Sequence, residues 1–133
     1  MKIVDVEGIG AAYAEKLTAA GVATTEDLID RGATDSGRSR LAAETGISER
    51  LLLEWVNHAD LMRLDGVGSE YADLLEAAGV DSVPELAARN AANLAAALES
   101  TNESKDLVRR VPSESVVGTW IDEAKTLPKL VTH

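Results

Sequence analysis

The sequence predicts an all-α fold of about ten short helices, arranged as two tandem repeats that pack as one body. Three observations predict this fold. A glycine, an aliphatic residue and a second glycine occur together twice, as Gly8-Ile9-Gly10 and as Gly66-Val67-Gly68, and a helical pattern follows each time. The residues around these two turns repeat at an offset of 58. Hydrophobic residues make up 45% of the chain and aromatic residues only 3%, which leaves a core of small aliphatic side chains suited to closely packed helices.

The repeat includes every aromatic residue of the chain. Tyr13 corresponds to Tyr71 at the offset of 58, and Trp55 corresponds to Trp120 at an offset of 65. The larger offset means that the second copy holds about seven additional residues. We expect a loop at residues 100–105 to contain them, because this stretch is polar.

The first helices follow from hydrophobic spacing and from a terminating glycine. A short helix is predicted over residues 2–6, and the first turn comes after it. Tyr13 and Leu17 then share one face of a helix over about residues 11–20, because they are four positions apart. Gly21 is typical of the residue that ends a helix.

Hydroxyl side chains predict where later helices begin. Thr24 can cap a helix while Asp27 reaches back to the main chain, and Ser82 with Glu85 can do the same in the second copy. The stretch 31–37 is rich in glycine and small polar residues, so it is predicted to be a loop.

A long helix is predicted to join the two copies. A helix over about residues 38–45 ends at Gly46, and Ser48 caps the helix that follows. No helix-breaking residue occurs between Ser48 and Leu64. The two repeats are therefore expected to share a helix over about residues 48–64, with no flexible linker between them.

The last predicted helices lie in the second copy and set the bounds of the two repeats. A helix over about residues 90–99 matches the fourth helix of the first copy, and Ser113 begins the last helix. We therefore expect repeat 1 at residues 1–60 and repeat 2 at residues 61–127. Residues 128–133 are expected to form a frayed tail.

The two turns belong to a longer motif in which glycine, an aliphatic residue and glycine precede an alanine and a leucine at fixed spacing. It occurs as Gly8, Ile9, Gly10, Ala14 and Leu17, and again as Gly66, Val67, Gly68, Ala72 and Leu75. This motif resembles the helix-hairpin-helix family. In tandem, with about five helices per copy, the chain is similar over about residues 1–127 to a bacterial and archaeal family catalogued only as a domain of unknown function.

The resemblance implies that the glycines let the main chain approach a DNA phosphate, and that a monovalent cation can sit on the carbonyl groups of a turn. A glycine-rich turn that opens a helix also presents amide hydrogens at the positive end of the helix dipole, which favours an anion. The same glycines permit a tight turn and close helix packing without any ligand. Both interpretations stay open. The candidate contact residues are Gly8, Ile9, Gly10, Lys16, Gly66, Val67 and Gly68.

The charge of the chain weighs against DNA. The net charge is −10, from 23 acidic and 13 basic residues, whereas affinity for DNA depends on lysine and arginine at phosphates. In the second copy the helix after the turn carries Glu70, Asp73 and Glu76 and no basic residue. A basic rim in the first copy is the remaining candidate for phosphate contact, and its residues are Arg31, Arg38 and Arg40.

Other functional classes receive little support. The chain has no cysteine, which excludes disulfides, thiol catalysis and thiolate metal sites. Its histidines, His58 and His133, form no zinc-binding pattern, and no nucleophile has a base at a recognisable spacing. We therefore expect no enzyme, no metal and no cofactor beyond the monovalent cation. No apolar run approaches the roughly 18 residues of a membrane helix and no signal peptide is recognisable, so we expect no membrane partner and a cytoplasmic location.

These observations favour a non-enzymatic binding or scaffolding module whose ligand is another protein. The hairpin turns are retained, but their flanks are acidic. The alternative is sequence-independent binding of the double-stranded DNA backbone through the first hairpin, with Lys16 and the basic rim at the contact. The same surface could support self-association.

Overall fold

The computed structural model describes residues 1–133, and its regular secondary structure is helical. A three-residue 3₁₀ turn, Ile3–Asp5, precedes eight α-helices. These are α1 (Ala11–Ala19), α2 (Thr25–Gly32), α3 (Asp35–Thr45), α4 (Glu49–Leu61), α5 (Ser69–Ala77), α6 (Val83–Ala87), α7 (Ala91–Lys105) and α8 (Glu114–Ala124). The all-α prediction is confirmed.

The number of helices is smaller than the ten expected, and the N-terminal segment is one reason. Residues 2–6 contain only the 3₁₀ turn, because the main chain there pairs outside any helix. Lys2 and Thr24 form an isolated antiparallel bridge. The Ile3 amide donates to the Ala23 carbonyl oxygen at 3.0 Å, and the Thr25 amide donates to that of Met1, also at 3.0 Å.

The chain divides into two compact units. Unit 1 comprises Met1–Asp60 together with Leu130–His133, and unit 2 comprises Leu61–Lys129. Each unit buries its own aliphatic residues around one tryptophan, Trp55 in unit 1 and Trp120 in unit 2. Neither core contains phenylalanine, so leucine, valine and isoleucine supply most of the apolar volume.

A reciprocal cap begins α2, as predicted. The Asp27 amide donates to the Thr24 hydroxyl at 3.1 Å, and the Asp27 carboxylate accepts from the amides of Ala23 and Thr24. The hydrogen bond from Ala23, and then that from Thr24, lowers the pKa of Asp27 below its usual range. A depressed pKa in the folded state means that this contribution to stability is present at neutral pH and is lost only as the pH falls through that value.

The loop predicted at residues 31–37 is wrong. Helix α2 continues to Gly32 and α3 already begins at Asp35, so only two residues separate the helices. The Thr34 hydroxyl accepts from the Gly37 amide at 3.1 Å and so caps α3. Gly37 lies inside this helix. The position requires glycine because a Cβ atom there would collide with the carbonyl oxygen of Arg31.

Alanine is expected to change the free energy of unfolding in opposite directions at two helical glycines, Gly37 and Gly118. Gly37→Ala is expected to lower the free energy of unfolding by about 1–3 kcal/mol, because the added methyl group meets main chain that cannot move aside cheaply. Gly118→Ala in α8 is expected to raise it by about 0.5–1 kcal/mol, because its Cβ would make only an ordinary contact, 3.9 Å from Ala91 Cβ. Urea titrations of the two variants measure both changes. A Gly37→Ala protein as stable as the wild type would contradict this account of the α2–α3 turn.

Helix α4 is shorter than the helix predicted over residues 48–64. The Ser48 hydroxyl accepts from the Leu51 amide at 3.2 Å and caps the helix, as predicted. The helix ends at Leu61, and the chain then turns, with the Leu64 amide donating to the Leu61 carbonyl oxygen at 3.2 Å.

The loop predicted at residues 100–105 is also wrong, because these residues form the last turns of α7. Leu94 and Leu98 are buried on one side of this helix, so the polar stretch after them continues its solvent-facing surface. The Asn102 side chain binds the main chain that follows the helix. Its Oδ1 atom accepts from the amides of Leu107 (2.8 Å) and Val108 (2.9 Å), and its Nδ2 atom donates to the Val108 carbonyl oxygen (3.0 Å).

Candidate functional site

The first glycine turn lies between the 3₁₀ turn and α1. Gly8 has a φ of +87°, in the region that favours glycine. The Ile9 amide donates to the Val6 carbonyl oxygen at 3.0 Å, and the Ile9 side chain is only 3% exposed. Gly10 then opens α1 and is solvent-exposed. Of the three predicted contact positions, the turn therefore presents main chain at the two glycines and turns the Ile9 side chain into the core.

The second turn has the same local geometry in unit 2. Gly66 has a φ of +83°, and the Val67 amide donates to the Leu64 carbonyl oxygen at 3.2 Å. The Val67 side chain is 5% exposed. A contact role for Ile9 and for Val67 is thus restricted to their main chain, because both side chains are buried as aliphatic core residues.

A tryptophan indole covers each turn. In unit 1 the Trp55 Nε1 atom lies 3.4 Å from where a Cβ atom on Gly8 would stand. The Tyr13 ring meets the Trp55 ring edge to face, with centroids 5.1 Å apart and an interplanar angle of 61°. Trp55 is 1% exposed, so the glycine leaves room for a buried indole as well as for the turn.

Unit 2 contains the corresponding contact. Trp120 Nε1 lies 3.7 Å from the Cβ position of Gly66, and the Tyr71 and Trp120 ring centroids are 5.3 Å apart at 55°. The Tyr71 hydroxyl also donates to the Arg110 carbonyl oxygen at 3.0 Å. The sequence pairs the tyrosines at an offset of 58 and the tryptophans at an offset of 65, and the structure shows that each tyrosine contacts the tryptophan of its own unit.

Helices α1 and α5 differ from the others at their N-termini. The other six begin with a serine, threonine or asparagine whose side chain accepts a main-chain hydrogen bond, at Thr24, Thr34, Ser48, Ser82, Asn90 and Ser113. Gly10 and Gly68 provide no such side-chain bond. The helices that follow the glycine turns therefore begin without a cap from the side chain of the N-cap residue.

The two turns differ in one neighbouring charged residue, although an acidic residue, Glu7 or Asp65, directly precedes each of them. Lys16 on α1 is exposed, and its Nζ atom lies 6.0 Å from the centroid of the Tyr13 ring. In unit 2 a carboxylate binds the main chain at the start of the turn: the Asp65 amide donates to Glu123 Oε1 at 2.9 Å. A carboxylate there repels a phosphate, so the second turn is poorly suited to one.

The prediction that Arg38 belongs to a basic rim is wrong, because this residue is buried. This side chain is 3% exposed, and it donates from Nη1 to the Gly32 carbonyl oxygen at 2.9 Å and from Nη2 to that of Thr132 at 2.8 Å. Its Nη2 atom also lies 3.9 Å from an oxygen of the exposed Asp35. Arg38 is thus an internal residue that binds main-chain carbonyl groups.

Arg31 is also engaged within unit 1. Its Nη1 atom donates to the Ala20 carbonyl oxygen at the end of α1 (2.7 Å), and its Nη2 atom pairs with Glu44 Oε2 (2.6 Å). Arg40, the third residue of the expected rim, is exposed. In unit 2, Arg89 donates to the Gly79 carbonyl oxygen at 3.0 Å, as Arg31 does to Ala20. Sequence reasoning missed Arg89, although it lies 58 positions after Arg31 and the repeat could have revealed it.

The C-terminal residues, expected as a frayed tail, lie bound to unit 1. The Thr132 amide donates to the Ala33 carbonyl oxygen at 2.8 Å, and the Val131 side chain is 3% exposed. His133 Nε2 lies 2.8 Å from Asn57 Oδ1. The other histidine, His58, is 2% exposed and lies on α4.

Comparison with known proteins gives a family and no characterised relative. The family described as a domain of unknown function (DUF4332) matches residues 7–127. No curated protein and no solved structure matches the chain. None of the helices combines the length and the apolar character that crossing a membrane requires.

Proposed function

The chain belongs to the DUF4332 family, and we propose that it is a non-enzymatic binding module whose ligand is another protein. We propose further that its two units are tandem helix-hairpin-helix repeats. The matching contacts support this: Gly8 with Trp55 and Tyr13 in unit 1, and the corresponding set in unit 2, have nearly equal distances. The φ angles of the two turn glycines differ by only a few degrees.

One observation carries the choice of a protein ligand: two of the arginines of unit 1, Arg31 and Arg38, bind main-chain carbonyl groups. Arg31 binds Ala20, and Arg38 binds both Gly32 and Thr132. A guanidinium that is already engaged in this way cannot neutralise a phosphate without breaking bonds inside the fold. The arrangement therefore favours recognition of peptide over recognition of nucleic acid.

The charge balance supports the same choice. A surface with a net charge of −10 repels the DNA backbone at long range, and it raises the local concentration of basic protein surfaces. The carboxylate beside the second turn adds a local repulsion at a position where a helix-hairpin-helix protein would place a phosphate.

Chemical crosslinking with full-length tagged protein in a nuclease-treated extract of the source cells tests this proposal. We expect a defined protein adduct that disappears when excess untagged protein is added, because a specific site saturates. A matched Lys16→Glu variant should give the same adduct, since the proposal assigns no role to that lysine. The proposal fails if no adduct is competed away, or if adducts form only in a parallel extract that has not been treated with nuclease.

A second function, sequence-independent DNA binding through the first hairpin, is favoured by the N-terminus of α1. Gly10 supplies no side-chain cap to the first amides of this helix, and Lys16 is exposed on the same helix. A monovalent cation on the carbonyl groups of the turn would belong to this function. It predicts binding that weakens steeply with salt and with Lys16→Glu.

A further inference from the structure

The C-terminal segment Leu130–His133 is bound to unit 1 in the manner of a peptide ligand. Thr132 is held through both of its main-chain groups, because its amide donates to the Ala33 carbonyl oxygen and its carbonyl oxygen accepts from Arg38, each at 2.8 Å. Such main-chain bonds are independent of the side chain at that position. They define a site for extended peptide rather than for one particular residue.

Burial along the segment is concentrated on one side chain. Val131 is 3% exposed, whereas Leu130 before it is 43% exposed and Thr132 and His133 after it are exposed. The terminal His133 adds one bond, from its ring to Asn57 at 2.8 Å. The specific part of the contact is therefore the burial of one β-branched aliphatic side chain, Val131.

On the receptor side, Arg38 is also bonded to main chain outside the segment. Arg38 is buried, and its Nη1 atom is fixed by the Gly32 carbonyl oxygen at the end of α2. This bond leaves Nη2 directed at the acceptor that Thr132 supplies. Without an acceptor there, a buried cation would lose a hydrogen bond, so the site favours having an occupant.

We propose that this surface is a docking site for an extended segment of a partner protein, and that the chain's own C-terminal residues cover it until such a segment displaces them. The segment must supply a valine or isoleucine followed by a residue other than proline, since that residue has to donate its amide to Ala33. The proposal rests on the proposed protein-binding function and locates the binding site at the surface that Leu130–His133 covers. Only one buried side chain and a few hydrogen bonds hold the covering segment, so its release requires a local opening and not unfolding.

The test uses full-length proteins and a fluorescein-labelled peptide with the sequence of residues 128–133. In the wild type the chain's own segment competes with the peptide. In Val131→Asp the segment keeps its length but cannot bury a carboxylate, so the site is freed. We expect the variant to bind the peptide about tenfold more tightly than the wild type, or better, because the competent fraction rises.

Two matched controls identify the site. A peptide with aspartate in place of its valine should not bind the Val131→Asp protein, and the double variant Val131→Asp/Arg38→Met should lose affinity for the unchanged peptide. If the folded Val131→Asp protein binds no better than the wild type, the proposal is overturned. A dimer that forms by exchange of C-terminal segments, detected by light scattering, would also overturn it in favour of self-association.

Hydrogen exchange in the wild type provides a test that needs no variant. The Thr132 amide should exchange markedly faster than the core Val22 amide, which donates to Leu17 at 2.8 Å, because the segment opens locally. Equal exchange rates would mean that the segment leaves only on global unfolding, and would overturn the proposal even if Val131→Asp failed to fold. A crosslinked partner that binds wild type and Arg38→Met equally would leave the protein-binding function standing while rejecting this site.

Discussion

Replacing Trp55 with alanine is expected to lower the free energy of unfolding by about 3–5 kcal/mol. The side chain is 1% exposed, its ring contacts Tyr13, and its indole nitrogen lies against the Gly8 turn. Alanine removes the largest buried side chain of unit 1 and leaves a cavity beneath the turn. Equilibrium urea titration followed by circular dichroism measures the loss.

Unit 2 and the surface of α1 provide controls for this prediction. Trp120→Ala should cost a similar amount, because Trp120 makes the same contact with Tyr71 and lies against Gly66. Lys16→Ala should change stability by less than about 0.5 kcal/mol, since this side chain is exposed. A loss below about 1 kcal/mol for Trp55→Ala would show that the tryptophan is not the support of the turn.

Replacing Arg38 with alanine is expected to cost about 3 kcal/mol, because it leaves the carbonyl groups of Gly32 and Thr132 without their charged donor. Arg38→Met should cost less, because methionine keeps most of the buried packing and avoids the desolvation of a cation. In both variants the Thr132 amide should lose protection against hydrogen exchange, because its segment is held in part by Arg38.

Arg40→Ala is the matched control, because this arginine lies two positions away on α3 and is exposed. It should change stability by less than about 0.5 kcal/mol and leave the Thr132 amide unaffected. Equal effects of the Arg38 and Arg40 substitutions would contradict the internal role of Arg38.

Local signals in the sequence were sufficient for the turns and for most helix starts. Gly8 and Gly66 adopt the positive φ that a glycine turn suggests, and Thr24 with Asp27 forms the predicted cap. These features depend on a few neighbouring residues, so periodicity and end signals capture them. The loops expected at residues 31–37 and 100–105 were wrong because polar composition was given more weight than the helical surface it can form.

The parts of the site that sequence reasoning missed depend on distant residues. Arg38 was expected on a basic rim, but its acceptor Thr132 lies 94 positions further along the chain. No periodicity links the two residues, and the burial of a charge is disfavoured until such an acceptor is in place. The roles of Arg31 and Arg38 therefore follow only from the packed structure.

The central claim is that Arg31 and Arg38 serve the chain's own fold and that its ligand is protein. Fluorescence anisotropy of a labelled DNA duplex tests it most directly, with wild-type protein and Lys16→Glu measured at about 20 mM and about 150 mM salt. We expect no change in anisotropy with either protein at either salt concentration. Binding at low salt that falls steeply at the higher concentration, and that Lys16→Glu abolishes, would contradict the claim and establish the first hairpin as a DNA-binding element.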